Sequence, residues 1–101
     1  MMTEARRRWI EEARLRVTHA ALPFGARVWL FGSCARGDAS RFSDIDIAVE
    51  AKARLSGMAR AAIDEAIESS CIPCDVDVVD LADVSDTFRA RVMAEAVEWT
   101  A

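Results

Sequence analysis

The sequence predicts an α+β fold built on a small three-stranded mixed sheet with about four flanking helices. Short apolar runs rich in strand-forming residues occur at three places in the chain. Segments with apolar residues at three- and four-residue steps precede, separate and follow these runs, as expected of amphipathic helices. Three strands cannot shelter helices well on both faces, so we expect mainly one face of the sheet to be covered and the other to be available for a site.

The chain has the size and composition of one compact domain, residues 1–101. Apolar residues make up 52% of it and charged residues 30%, which excludes a disordered chain. A domain of 101 residues forms a single core without a second catalytic lobe. A reaction that needs two lobes would therefore require a homo- or hetero-oligomer.

The net charge of −4 is unevenly distributed. Residues 1–41 carry eight basic and four acidic side chains, whereas residues 42–101 carry five and thirteen. The acidic second half argues against direct binding of nucleic acid. The cluster Arg6-Arg7-Arg8 is interpreted as a solvated helix face, with an acidic partner or phosphate as the alternative.

Apolar runs fall far short of the roughly 18 residues that cross a bilayer. No apolar segment follows the basic N-terminus, as it would in a secretory signal. We expect a cytoplasmic protein without membrane contact.

The first helix is predicted from Thr3 to about Ala20, with Thr3 as its N-cap. The breakers in Leu22-Pro23-Phe24-Gly25 end this helix. Ala26–Phe31 is predicted to be a buried strand, with Trp29 in the core.

The later elements alternate between strands and helices, and two serines are suitable N-caps. They are a short helical turn within residues 34–42, a strand from Asp44 to Val49, a helix over Leu55 to Ile67 capped by Ser56, a strand from Cys74 to Leu81, and a helix after Ser85 that runs to about Glu98.

Asp44 and Asp46 are the first candidate site residues. Alternate side chains of a strand share a face, so these carboxylates project together while Ile45 and Ile47 point to the other side. Two carboxylates this close repel each other unless a cation lies between them. Oxygen ligands of this kind favour Mg²⁺ or Mn²⁺.

A turn at Gly32-Ser33 precedes the carboxylate pair. Glycine lets the backbone approach a ligand closely, and the turn would place backbone N–H groups and a hydroxyl near phosphate oxygens. Together, the turn and the carboxylates suit a nucleoside triphosphate held by metal.

Nucleotidyl transfer commonly uses two metal ions and a base near the attacking oxygen, which calls for a third acid. Asp75, Asp77 and Asp80 are the candidates on the third strand. Asp77 is favoured because it lies mid-strand between valines. Asp75 and Asp80 lie nearer the strand ends, where solvation would explain them, and they remain alternatives.

The three cysteines are an odd number without a secretory context, so a disulfide framework is not expected. Cys71 and Cys74 have C-x-x-C spacing, but they lead into a strand and the single histidine, His19, is remote. We predict no functional role for the pair.

Four short motifs together resemble the minimal nucleotidyltransferases of the DNA polymerase β superfamily. They are Gly32-Ser33, Arg36-Gly37, Ser43-Asp44-Ile45-Asp46 and the later Val76-Asp77-Val78-Val79-Asp80-Leu81. In particular, the chain resembles the short proteins encoded beside HEPN-domain partners in prokaryotic toxin–antitoxin pairs. The likeness covers nearly the whole chain.

The resemblance implies a nucleotidyltransferase fold and a role for each matched residue. Gly32 and Ser33 would hold the triphosphate, Asp44 and Asp46 would bind the metal ions, and Asp77 would complete the metal site and deprotonate the acceptor.

Three further positions match the family pattern. Arg36 would contact phosphate or form a salt bridge to Asp38 or Asp44, Ser43 would cap or orient Asp44, and Gly37 would serve the backbone turn. The C-terminal Ala96-Val97-Glu98-Trp99 departs from the glycine-containing end common in relatives, which concerns partner contacts rather than chemistry.

The activity implied by the resemblance is transfer of AMP from Mg²⁺-ATP to a hydroxyl of a HEPN-domain toxin, most simply a tyrosine, which would silence the toxin's ribonuclease. Two alternatives stay open. The protein could neutralise its partner by binding alone, or it could modify a small antibiotic-type molecule.

Overall fold

A computed structural model describes residues 2–100 of the chain. The elements are α1 (Glu4–Ala21), a 3₁₀ turn (Leu22–Phe24), β1 (Arg27–Phe31), α2 (Gly32–Arg36), β2 (Ile45–Glu50), α3 (Gly57–Glu68), β3 (Val76–Asp80), α4 (Asp86–Glu95) and β4 (Val97–Glu98). The predicted order of helices and strands is confirmed up to α4. The short helix α2 begins at the Gly-Ser pair itself, not within residues 34–42.

The three predicted N-caps are confirmed. The hydroxyls of Thr3, Ser56 and Ser85 each accept a hydrogen bond of 3.1 Å from a backbone N–H in the first turn of α1, α3 and α4. Each bond satisfies a donor that the helix leaves without a partner, which fixes the residue at which the helix begins.

The sheet is mixed, as predicted, but it has four strands in the order β3-β2-β1-β4. Strands β2 and β3 are parallel, whereas β1 is antiparallel to both β2 and β4. The fourth strand is the short segment Val97–Glu98, which pairs with Leu30 and Trp29.

The prediction that the last helix runs to about Glu98 is therefore wrong. Helix α4 ends at Glu95, and Ala96 is extended with φ −67° and ψ 141°. The extended segment supplies hydrogen-bond partners to β1, whose outer edge would otherwise be unpaired. Trp99 continues this pairing, because its N–H donates to the Val28 carbonyl at 2.8 Å, and its half-buried ring packs on the domain's own core.

The main core lies between one face of the sheet and helices α1 and α3. Its buried members include residues of both helices and of three strands: Ala13, Val17, Val28, Leu30, Ile45, Ile47, Val49, Ile63 and Val78. Because alternate residues of a strand share a face, burying Ile45 and Ile47 here directs Asp46 to the opposite face.

Helix α4 partly covers that opposite face. Trp29, Ala48, Leu81 and Val92 form a second, smaller core there. The sheet is thus covered mainly on one face, as expected, although α4 lies against part of the other, and Asp77 on that second face is exposed. No helix within residues 2–100 is both long and apolar enough to span a membrane.

Candidate active site

Asp46 and Asp77 are direct partners across the parallel strands β2 and β3, so their side chains lie on the same face. Asp44 immediately precedes β2, and its carboxylate lies beside that of Asp77. The three carboxylates that the sequence singled out are thus brought together on the open part of the sheet.

The environment of Asp46 disfavours its ionised form. Burial raises the pKa of the Asp46 carboxyl, and the neighbouring charges of Asp77 and Asp44 raise it further, while Arg36 acts in the opposite sense. The pKa of Asp77 is also raised, by partial burial and then by the Asp44 carboxylate. A proton or a cation among these groups would relieve their repulsion.

The alternatives to Asp77 have other places in the fold. Asp80 is buried, and its carboxylate accepts hydrogen bonds from the backbone N–H groups of Leu55 (2.8 Å) and Ala82 (2.9 Å), so it closes two loops. Asp75 is exposed just before β3, where its charge contributes to the raised pKa of Asp77. Only Asp77 pairs with Asp46.

Gly32 begins α2 and closely approaches the carboxylate cluster. Its φ of +74° is a left-handed value that favours glycine. A Cβ at this position would lie 3.2 Å from Cγ of Asp46 and still closer to Oδ2. The turn and the carboxylate therefore fit together only without a side chain at residue 32.

Glu95, at the end of α4, contacts the same turn and was not anticipated from the sequence. Its carboxylate accepts a hydrogen bond from the Gly32 N–H at 3.1 Å and one from Arg36 Nη1 at 2.8 Å. The signal that could have found it is the helical stripe Phe88, Val92, Glu95, which places a charged residue on the inward-facing side of α4.

Arg36 is half-exposed and pairs with Asp38 at 3.3 Å as well as with Glu95. Of the two salt bridges considered for it, the one to Asp38 is present, and Glu95 takes the place expected for Asp44. Ser33, the second residue of α2, lies half-buried beside Gly32.

The hydroxyl of Ser43 turns into its own loop instead of towards Asp44. It accepts a hydrogen bond from the Ser40 N–H at 2.8 Å and lies 3.2 Å from the Ser40 hydroxyl. Ser43 therefore acts on Asp44 only through the shape of the chain that precedes it.

Arg6 anchors that loop from α1 and was also missed. It is only 3% exposed, and its guanidinium donates to the carbonyls of Ser43 (2.5 Å), Ser40 (3.2 Å) and Arg41 (3.3 Å). The interpretation of Arg6-Arg7-Arg8 as a solvated face holds for the two exposed members and is wrong for Arg6. Its position on the stripe with Trp9, Ala13 and Val17 was the available signal.

The carboxylates suit a divalent cation by their chemistry, since they are oxygen donors on one face that repel one another. Among residues 2–100, however, no three acidic, histidine or cysteine side chains already surround a single point.

Cys34, Cys71 and Cys74 are all free thiols. Burial raises the pKa of the Cys34 and Cys74 thiols, which disfavours the reactive thiolate. The Cys34 thiol instead donates to the Asp44 carbonyl at 3.5 Å and packs behind the site.

Two curated proteins are similar to this chain in sequence. The "probable protein adenylyltransferase MntA" of Haemophilus influenzae is 40% identical over 62 residues, which are 61% of this chain and 54% of that protein. The protein adenylyltransferase MntA of Shewanella oneidensis is 38% identical over 68 residues, which are 67% of this chain and 48% of that protein. The chain spans about half the length of these relatives.

A solved structure is similar in fold. A crystal structure of a toxin–antitoxin with AMP-PNP superposes with a TM-score of 0.68 and 29% sequence identity, over 85% of this chain and 71% of that chain. In sequence, residues 26–98 match the family described as Polymerase beta, Nucleotidyltransferase. This span runs from the residue before β1 to the end of β4 and contains all three carboxylates and the Gly-Ser turn. The chain therefore belongs to the polymerase beta nucleotidyltransferase family.

Proposed function

We propose that this protein transfers AMP from Mg²⁺-ATP to a hydroxyl of a partner protein, a HEPN-domain toxin, and thereby acts as its antitoxin. The observation that carries the proposal is the carboxylate group formed by Asp46, its cross-strand partner Asp77, and Asp44, next to the turn at Gly32. Family membership and two relatives named protein adenylyltransferase support nucleotidyl transfer to a protein.

The partner and the donor are inferred from similarity. The structure that superposes at 29% identity is of a toxin–antitoxin with AMP-PNP, an analogue of ATP. A tyrosine of the toxin is the acceptor that we favour. A cytoplasmic location follows from this role, since a ribonuclease toxin acts where RNA is.

In the proposed reaction the acceptor oxygen attacks the α-phosphorus of ATP, the bond from that phosphorus to the bridging oxygen breaks, and pyrophosphate leaves. Asp77 takes the proton of the acceptor hydroxyl, a role open to a carboxylate beside the attacking oxygen. Gly32, Ser33 and Arg36 orient the triphosphate through backbone N–H, hydroxyl and guanidinium donors.

Asp44 and Asp46 would hold Mg²⁺, with Asp77 as the third ligand and Mn²⁺ as a substitute. When bound, the metal would supply neutralising charge for the phosphates, and the family commonly uses two ions.

The test is to incubate the purified chain with its co-purified partner, Mg²⁺ and ATP labelled at the α-phosphate. We expect label and the mass of AMP on the partner, and loss of both with Asp44→Asn or Asp46→Asn. Asp64→Asn, a change at a half-exposed position of α3 outside the carboxylate group, should transfer normally. Undiminished labelling by both site variants would refute the proposed site.

The same variants separate catalysis from simple binding. If Asp44→Asn protein still binds the partner but no longer suppresses its ribonuclease at equal concentration, neutralisation is catalytic. Full suppression by that variant would show instead that binding is sufficient.

A further inference from the structure

Glu95 links the end of α4 to the phosphate-binding turn through two hydrogen bonds. One of its carboxylate oxygens accepts from the Gly32 N–H at 3.1 Å, and the other accepts from Arg36 Nη1 at 2.8 Å. The Glu95 side chain is 29% exposed, so the contact lies at the surface of the site. The Arg36 and Gly32 donors also lower the pKa of Glu95, which keeps it ionised.

These two donors are among those that the proposed function assigns to the triphosphate. A backbone N–H has one hydrogen to donate, so its bond to the carboxylate competes with a bond to a phosphate oxygen. The guanidinium has more donors, but an anion on Arg36 next to Glu95 would have to approach a second negative charge.

Glu95 also adds negative charge to a site that already has a surplus. Its charge contributes to the raised pKa of Asp46. A bound triphosphate would therefore meet repulsion from Glu95 as well as competition for its donors.

We propose that Glu95 is an internal competitor of the nucleotide: its carboxylate holds Gly32 and Arg36 and leaves them when a triphosphate binds. This inference rests on the proposed function, because it needs the triphosphate at the Gly32 turn. Glu95 thereby sets the affinity of the site for nucleotide, and a partner contact that displaced the end of α4 would raise that affinity.

The surroundings give the released carboxylate a place to go. A cavity of about 430 Å³ lies between α2 and α4 and is lined by Glu95, Arg36 and Arg91. Arg91 is one helical turn before Glu95, at the spacing that lets two side chains of a helix pair. Rotation of Glu95 from Arg36 to Arg91 would free the turn without moving the backbone of α4.

The rival explanation is that Glu95 only holds α2 against α4. The two explanations predict opposite changes in nucleotide affinity when Glu95 is removed. If Glu95 competes with the nucleotide, its removal tightens nucleotide binding. If Glu95 only holds the turn in shape, its removal weakens binding, because the donors lose their preorganised positions.

The experiment measures binding of Mg²⁺ with AMP-PNP to the complete chain by calorimetry. Glu95→Gln keeps the size of the side chain and removes its charge, and Glu95→Ala removes the contact altogether. Glu98→Gln is the matched control, since Glu98 belongs to the same C-terminal region and forms a comparable ion pair with Arg27 at 2.7 Å, away from the turn.

We expect Glu95→Gln and Glu95→Ala to bind the nucleotide about three- to tenfold more tightly than the natural chain, a range set by the strength of a partly exposed ion pair. Glu98→Gln should bind as the natural chain does. Mg²⁺-pyrophosphate, which has no base, should show the same gain.

Equal or weaker binding by Glu95→Gln overturns the inference and leaves the proposed function standing. Absence of nucleotide binding by the natural chain and by every folded variant overturns the proposed function, and the inference with it. Chemical denaturation identifies any variant that does not fold. If Glu95→Ala does not fold, the change in nucleotide affinity of Glu95→Gln decides between the two explanations.

Discussion

Gly32 and Asp46 are in such close contact that a Cβ on Gly32 would lie 3.2 Å from Cγ of Asp46. The two residues lie at the start of α2 and near the start of β2, and the contact joins the Gly32-Ser33 turn to the carboxylate cluster. With φ at +74°, Gly32 also has a backbone conformation that other residues adopt at a cost. Glycine is thus required here for two separate reasons.

Gly32→Ala should lower the rate of AMP transfer at least tenfold, because the new methyl group pushes the Asp46 carboxylate away from its place. It should also cost about 1–3 kcal/mol of unfolding free energy from backbone strain. Gly25→Ala is the matched control, since its φ is +65° but a Cβ there would meet nothing within 4 Å. The control should lose stability and keep its transfer rate; equal loss of transfer by both variants would contradict the explanation.

Asp46→Asn should make the protein more stable at neutral pH even as it abolishes transfer. The pKa of Asp46 is raised in the folded state, so folding favours the protonated form, and stability falls as the pH rises through the raised range. The amide removes this cost, and we expect a gain of about 0.5–1 kcal/mol at pH 7 in EDTA.

The gain should vanish below the ordinary carboxylate range, where Asp46 is protonated in both states. Urea unfolding at pH 7 and near pH 3 measures the difference. Asp64→Asn, at a half-exposed position paired with Arg60, should show no gain at either pH. A loss of stability in Asp46→Asn at pH 7 would mean that the carboxylate makes favourable contacts that outweigh its repulsion.

Mg²⁺ or Mn²⁺ should raise the melting temperature at neutral pH, because a cation relieves the repulsion among Asp44, Asp46 and Asp77. At 100 times the dissociation constant the stabilisation is about 2.7 kcal/mol. The shift should be reversed by EDTA and lost in Asp46→Asn, whereas NaCl at equal ionic strength should not reproduce it. An equal shift in the variant would place the binding elsewhere.

The sequence was sufficient where local chemistry decides the structure. The caps Thr3, Ser56 and Ser85 are signals contained in single residues, and the alternation around Asp44 and Asp46 follows from the geometry of any strand. The match of Asp77 with Asp46 needed one further fact, the parallel register of β2 and β3. The sequence alone does not give this register, and it favoured Asp77 only because this residue lies mid-strand between valines.

The sequence was insufficient where a long-range contact decides. The segment Val97–Glu98 has no strand signal strong enough to compete with the helix before it, and it becomes a strand because β1 offers an unpaired edge. Glu95 and Arg6 are charged residues on otherwise inward-facing helical stripes. The sequence pattern places charged side chains in solvent. It could not show the partners of these two, because they lie 59 or more residues away in the chain for Glu95 and 34 or more for Arg6.

Arg6→Met should reduce both stability and transfer. Arg6 is 3% exposed, and methionine would fill its space but leave the carbonyls of the loop before Asp44 without a donor. Losing several part-buried hydrogen bonds to a charged group is costly, so we expect a loss of about 2–4 kcal/mol of unfolding free energy. The transfer rate should fall under conditions where the variant is fully folded, because the loop that positions Asp44 loses its anchor.

Arg7→Met, at the adjacent exposed position, should stay within about 0.5 kcal/mol of the natural chain and transfer normally. Guanidinium chloride unfolding and the α-phosphate labelling assay measure the two effects, and a fully folded Arg6→Met protein with undiminished transfer would show that the anchor has no part in positioning Asp44.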